Sequence, residues 1–377
     1  MVISDYFSKN VFLEKLLLIN KNILFIVFAI FFCGLVLLYS AGNGEIKGLV
    51  TKQLIYFLIF FPLCIIISII NIQFWFKSSY IIYFCGLSLL ILVEIVGHKS
   101  MGATRWINLG IIRIQPSEIM KICFILALAK YYFQQNLSNI RKNSNLIKPF
   151  LFFIFPFALI LKQPNLGTAL ILSAIMVSIL FLVSVQMWKF VLCFTIALCS
   201  VPIVWKYGLH DYQKQRVLTF LNPEKDPLNT GYNITQSKIA IGSGGIWGKG
   251  LLKGTQTQLE FLPEKHTDFI FTILSEEFGF VGNIIVIILY LFLFLYLVFI
   301  IINCNHTYGK IIVSGVLVNL FCHFFINIGM ISGLLPVVGT PLPLLSYGGS
   351  ITVSTLISIG FVLNVDIYKH NEIKTLN

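Results

Sequence analysis

HTDFIFTILSEEFGFVGNIIVIILYLFLFLYLVFIII, residues 266–302, joins two unlike segments in one apolar run. The part from Phe280 to Ile302 carries no charge and is by itself long enough to cross a bilayer as a helix, which takes about 20 residues. The part from 268 to 279 is therefore surplus to the span, and it holds Asp268, Glu276 and Glu277. A carboxylate at mid-bilayer costs at least ~2.5 kcal/mol. The surplus is accordingly expected to form an interfacial or re-entrant helix on the outer face, ahead of the span proper.

The same arithmetic applies along the whole chain. Hydrophobic residues make up 57% of the 377 and charged residues 11%, with a mean hydropathy of +0.89. A soluble domain carries about a quarter charged residues, so the composition specifies an all-α integral membrane protein with a single polytopic domain. The apolar runs predict about ten transmembrane helices, near 23–41, 52–70, 79–96, 116–133, 149–161, 167–184, 188–207, 280–302, 311–331 and 349–367. The fifth is short and is expected to tilt or to thin the bilayer. The stretch 208–268 is expected to be one large extracytoplasmic loop, rich in glycine and cations.

The net charge of +12 has no soluble basic domain to carry it, which argues against nucleic acid as a partner. An even number of spans places both termini on one side. Lys9, Lys15, Lys21, Arg141, Lys142 and Lys148 favour the cytoplasm for it, against a bias from Lys47, Lys99, Arg105, Arg113 and Lys162 in the outer loops. The eight cysteines lie in or beside apolar runs without CxxC spacing and read as small hydrophobes, not as a disulfide framework or zinc site. The N-terminus lacks a signal peptide's short apolar region and cleavage site, so the first run is read as a retained helix.

Five stretches concentrate polar or backbone-breaking residues. Asp268 is either a helix cap or a general base at the rim of the bilayer. In the second role Lys265 and His266 would lower its pKa and burial would raise it. In QPSEIMK, Pro116 suits the first helical position, which puts Glu118 in the first turn and Lys121 three residues on, on the same face. That pair is either a packing device or part of a site. In GATRWI, 102–107, Arg105 and Trp106 are either an interfacial anchor or a grip on a phosphate and on a sugar or lipid face. IAIGSGGIWGKG, 239–250, fails the Walker A pattern at Ser243 and Gly250. It remains either a tight loop or a flexible one whose amides and Lys249 face an anion. NIGMISGLLPVVGTPLPLLSYGGS, 327–350, is non-helical backbone that at membrane depth must be buried in protein or line a cavity.

Taken together, these motifs resemble the SEDS family (shape, elongation, division, sporulation), and the stretch from Gly231 to Phe271 is most similar to its rod-shape members. The resemblance implies a membrane glycosyltransferase that polymerises lipid II during cell elongation. It makes Asp268 the catalytic carboxylate and matches Arg105, Trp106, Glu118 and Lys121 to the family's motifs, and with Lys249 and His266, candidates from the residues themselves, these are expected to line the substrate. It further implies a class B penicillin-binding protein as partner, membrane lipids around the bundle, and a divalent cation, Mg or Mn, as an optional cofactor. The chain departs from the family at Asn165, where an aspartate is usual, and at Ile351, where a small residue is usual.

In the implied reaction the acceptor's GlcNAc 4-hydroxyl attacks the anomeric carbon of the donor's MurNAc. Undecaprenyl pyrophosphate leaves and configuration inverts. Two rival functions share these features: a flippase for the same lipid, suggested by intramembrane charges and broken helices, and a non-catalytic scaffold for the crosslinking partner.

Overall fold

Each of the ten expected spans coincides with a helix in the computed structural model. The structure describes residues 14–374 except 101–102, 109, 111–112, 136–143, 209–210, 223–229, 260 and 262–263. Lys9, Arg141 and Lys142 lie outside the described residues, as does Gly102 of the GATRWI stretch. In chain order the membrane helices are α1 (Lys21–Ala41), α2 (Leu49–Ile69), α3 (Ile72–Val96), α4 (Pro116–Phe133), α5 (Ser144–Lys162), α6 (Leu166–Leu182) and α7 (Met187–Ile203). Eight of the ten helices are long and apolar enough to cross a membrane, among them the fifth, which at 19 residues is not the short span expected. The other two are α4, which carries Glu118, Lys121 and Lys130, and the 17-residue α6.

The expected outer loop is largely helical. It contains α8 (Asp211–Leu221), α9 (Thr230–Gly244) and the single turn α10 (Thr255–Gln258). Beyond it come α11 (Ile270–Asn303), α12 (Thr307–Ile331) and α13 (Gly349–Tyr368). The fold is all-α apart from a small antiparallel sheet between α3 and α4. In it β1 (His98–Ser100) pairs with β2 (Ala103–Asn108), which pairs with β3 (Arg113–Ile114).

Helix α11 is broken where the sequence reading placed the join. Gly279 has φ 63° and ψ −157°, outside the helical region and open chiefly to glycine. The break frees backbone groups that apolar surroundings cannot satisfy. The glycine-rich stretch after α9 takes them up. The amides of Lys249 and Gly250 donate to the carbonyls of Glu276 and Glu277 at 3.0 and 2.9 Å. In return the amides of Phe280 and Val281 donate to the carbonyls of Gly245 and Ile246 at 2.9 and 3.1 Å. The motif that failed the nucleotide pattern is thus one half of a backbone clasp.

Helix α12 runs through the interior, and Asn319, His323 and Asn327 form a buried polar stripe at four-residue spacing along it. Asn364 of α13 donates to the carbonyls of Ile67 and Ser68 at the end of α2, 3.1 and 3.0 Å away. Helix α7 contributes no buried residue and meets the core at the half-buried Phe190.

A Cβ at Gly248 would fall 2.1 Å from the carbonyl oxygen of Glu277, whereas one at Gly242 meets nothing within 4 Å. Gly248→Ala is therefore expected to lower Tm by several degrees in detergent. Gly242→Ala, within a helix, is expected to leave Tm unchanged or raise it slightly, by the ~1 kcal/mol helix preference of alanine. Equal Tm values for the two variants would contradict the clasp.

Candidate functional site

Asp268 precedes α11 but does not cap it. The N-cap residue is Phe269 and no side chain bonds the first turn, while the Thr267 hydroxyl donates to the Glu264 carboxylate at 2.9 Å. The helix-cap reading is thereby excluded. Among the described residues no hydrogen bond reaches the Asp268 carboxylate, and the side chain keeps partial solvent access while protein surrounds it. That combination places it in a cleft.

Burial pushes the Asp268 carboxyl up to about 7, the charge of Glu264 adds to the rise, and the Arg216 guanidinium opposes it. The expected influence of Lys265 and His266 is not what tunes it. Lys265 is buried and turned away, donating to the Thr257 carbonyl at 2.9 Å. The His266 imidazole is held below its ordinary value by burial, and its ring meets the edge of Tyr347. Arg216, on α8, is the cation that sequence proximity did not reveal. It also donates to the Val338 carbonyl at 3.4 Å.

The segment between α12 and α13 closes over this carboxylate. Gly339 has φ +78°, and a Cβ there would lie 3.2 Å from Asp268 Oδ2, so bare backbone packs against the acid. Val337, Thr340, Leu342, Leu344, Leu345 and Ser346 are buried, as non-helical backbone at this depth requires. Gln53 of α2, not anticipated, secures the far end. Its side chain donates to the Ser346 carbonyl at 3.2 Å and accepts from the Gly348 amide at 3.1 Å. The Tyr347 amide donates to the His266 carbonyl at 2.9 Å, joining this segment to the one bearing Asp268.

Glu118 and Lys121 lie side by side in the interior, 3.0 Å apart, with a third partner in His323, whose Nε2 is 2.7 Å from Lys121 Nζ. Lys121 is fully buried and Glu118 nearly so, so neither reaches the cleft at Asp268. Arg105 donates to the carbonyls of Gln163 and Pro164, at the turn between α5 and α6. Trp106 is half-buried on β2. Lys249 pairs with Glu276 at 2.8 Å and donates to Thr255, and Glu276 also accepts from the amides of Gln256 and Thr257. The structure therefore sets the Arg216 charge against Asp268, turns His266 to Tyr347, and engages Glu118, Lys121, Lys249 and Arg105 in bonds within the protein.

Comparison with known proteins matches this arrangement throughout its length. The sequence profile of the FtsW/RodA/SpoVE family, described as cell cycle proteins, matches residues 20–371. The peptidoglycan glycosyltransferase MrdB of Escherichia coli K12 is 38% identical, covering 97% of this chain and 98% of its own. A chain of a peptidoglycan synthase complex that coordinates polymerization and crosslinking superposes with a TM-score of 0.82 at 31% identity, covering 94% of this chain and 99% of that one. The rod shape determining protein RodA of Thermus thermophilus gives 0.71 at 27% identity, covering 94% and 98%.

Removing one member of a buried ion pair strands its partner at a cost of about 3–5 kcal/mol. Lys121→Met is expected to destabilise the protein by that order, and Glu118→Gln combined with Lys121→Met to recover part of the loss. Thermal unfolding of the single and double variants in detergent decides it. A harmless Lys121→Met would mean the pair is not a buried structural unit.

Proposed function

The chain belongs to the FtsW/RodA/SpoVE (SEDS) family, and we propose that it is a peptidoglycan glycosyltransferase of cell elongation in which Asp268 takes the proton from the attacking sugar hydroxyl. The observation that carries this is the state of that carboxylate. Glu118, Glu276 and Glu277 each accept hydrogen bonds from protein partners. Asp268 accepts none among the described residues, keeps access to solvent, and has a proton affinity near neutrality. A general base works best with a pKa close to the operating pH, and it must be free to bond its substrate.

The acceptor's GlcNAc 4-hydroxyl gives its proton to Asp268 as its oxygen bonds to the anomeric carbon of the donor's MurNAc. The bond from that carbon to the pyrophosphate oxygen breaks, its electron pair leaves with undecaprenyl pyrophosphate, and the configuration inverts. Arg216 opposes the rise in the proton affinity of Asp268 and so favours the ionised base. The apolar outer faces of the helices hold the polyprenyl tails. Among the described residues no three His, Cys, Asp or Glu side chains converge.

The protein is a multi-pass membrane protein, and we place both termini in the cytoplasm and the cleft on the outer face. A penicillin-binding protein that crosslinks the new strand is the expected partner, by analogy with the synthase complex.

Asp268→Asn is expected to lower polymerisation of purified lipid II by about 10²–10⁴-fold without lowering Tm, since it removes a charge that burial disfavours. Near-normal polymer, resolved by length on a gel, would reject the assignment. The rate should also rise with pH through about 7, as the Asp268 carboxyl loses its proton. Arg216 favours the ionised form, so Arg216→Gln moves that rise to higher pH. Glu264 opposes it, so Glu264→Gln moves it lower. A profile that ignores both substitutions would remove Asp268 from the titration.

A further inference from the structure

We propose that His323 and Asn327, one turn apart on α12, are positioning residues that hold the 339–341 backbone against Asp268 and so fix the placement of its carboxylate. This rests on the reading of Asp268 as the base. Asn327 is fully buried and commits both N–H groups of its side-chain amide, to the carbonyl of Asp268 at 2.8 Å and to that of Thr340 at 2.7 Å. One amide thus ties the base's own peptide to the segment packed on its carboxylate.

His323 anchors the same segment one residue further along. Its Nδ1 lies 3.2 Å from the Pro341 carbonyl, which can only accept, so Nδ1 carries the hydrogen. Its Nε2 lies 2.7 Å from the Lys121 ammonium, which can only donate, so Nε2 is the acceptor. The ring is therefore neutral, in one tautomer, and both its nitrogens are used. A relay results: the Glu118 carboxylate fixes Lys121, Lys121 fixes the ring, and the ring fixes Pro341.

Gly339 stands beside these two tethered residues with only its backbone toward Asp268 Oδ2. His323 and Asn327 are themselves closed off from solvent, which makes them positioning and not catalytic residues. The charged and titratable groups in play are Glu264 and His266 on the segment bearing Asp268 and Arg216 on α8. Around His323 they are Glu118 and Lys121 on α4 and Cys322 on α12 itself. A misplacement of about 1 Å at a reacting group costs on the order of 10²-fold in rate, so slack in either tether is read directly in turnover.

The test uses the full-length protein with purified lipid II, wild type and Asp268→Asn serving as positive and negative references. Asn327→Leu and His323→Phe fill the space without the hydrogen bonds. Each is expected to lower kcat about 10- to 100-fold with KM changed less than about threefold. Release of the overlying backbone admits water to the Asp268 carboxyl, so the rise of rate with pH should move to lower pH. His323→Gln, whose amide can accept from Lys121 and donate to Pro341, should restore most of kcat and the original profile.

If Asn327→Leu does not purify as folded protein, Asn327→Ser, too short to reach either carbonyl, takes its place. Folded variants with wild-type kcat and pH profile overturn the inference. So does a His323→Gln no better than His323→Phe, or a loss seen only as less folded protein with an unchanged profile. If instead Asp268→Asn polymerises like wild type, the reading of the base fails, and that result appears in the references, not in the tether variants.

Discussion

Four backbone hydrogen bonds cross the break at Gly279, two in each direction, and the placement of the segment ahead of the break depends on them. A helix interrupted in apolar surroundings leaves amides and carbonyls that no water can reach, each costing several kcal/mol if left alone. The chain meets that requirement with peptide groups from a second segment. The glycines after α9 are needed because that segment must approach to backbone contact, closer than any side chain permits. Once the clasp is closed, the short helix from Ile270 to Phe278 is fixed in angle, and Asp268 ahead of it is held at a definite place.

The buried carboxylates divide according to what surrounds them. Glu276 accepts from a lysine, two threonine hydroxyls and two amides, and holds the turn of α10 in place. Glu277 is bonded by Ser40, from α1. Glu118 has Lys121 and Ser354. Glu118 and Glu276 are internal struts whose charge is spent on structure, and Glu277 is held through one oxygen while its other oxygen is buried without a partner. Asp268 is the exception, a carboxylate enclosed by protein with its oxygens uncommitted, and enclosure without hydrogen bonds is what raises its proton affinity. The same environment that makes the charge costly to hold makes it useful as a base, because a carboxylate well solvated by donors gains little from accepting a proton.

The sequence made the membrane architecture legible because span length is a one-dimensional property. Ten apolar runs became ten helices, and the excess of residues before Phe280 located the break to within a residue of Gly279. The buried segment between α12 and α13 was equally legible, since prolines and glycines at that depth admit few alternatives. Side-chain partners were not. Lys265 is three positions from Asp268, yet the turn between them sends its ammonium to Thr257, while Arg216, far back in the chain, supplies the opposing charge. His323, Asn327 and Gln53 sit inside apolar helices with no motif to mark them. Their roles exist only in contacts between distant segments, which periodicity does not encode. The 208–268 stretch reads as a loop in sequence because its helices are polar or glycine-rich and lack an apolar stripe.

Position 165 shows why a departure from a family pattern need not touch the chemistry. Asn165 is the N-cap of α6, and its side chain accepts from the Thr168 amide at 3.4 Å. Asparagine and aspartate cap with nearly equal strength, because the bond requires an oxygen and not a charge. The residue lies beside Arg105, whose guanidinium is bonded to the carbonyls of Gln163 and Pro164, so the turn already has its cation placed. A carboxylate lost here removes one charge from a structural junction and leaves its geometry supplied. Under the proposed mechanism the reverse holds at 268: asparagine would fit the space as well, but the proton acceptor would be gone. The two sites separate what a carboxylate does by shape from what it does by charge.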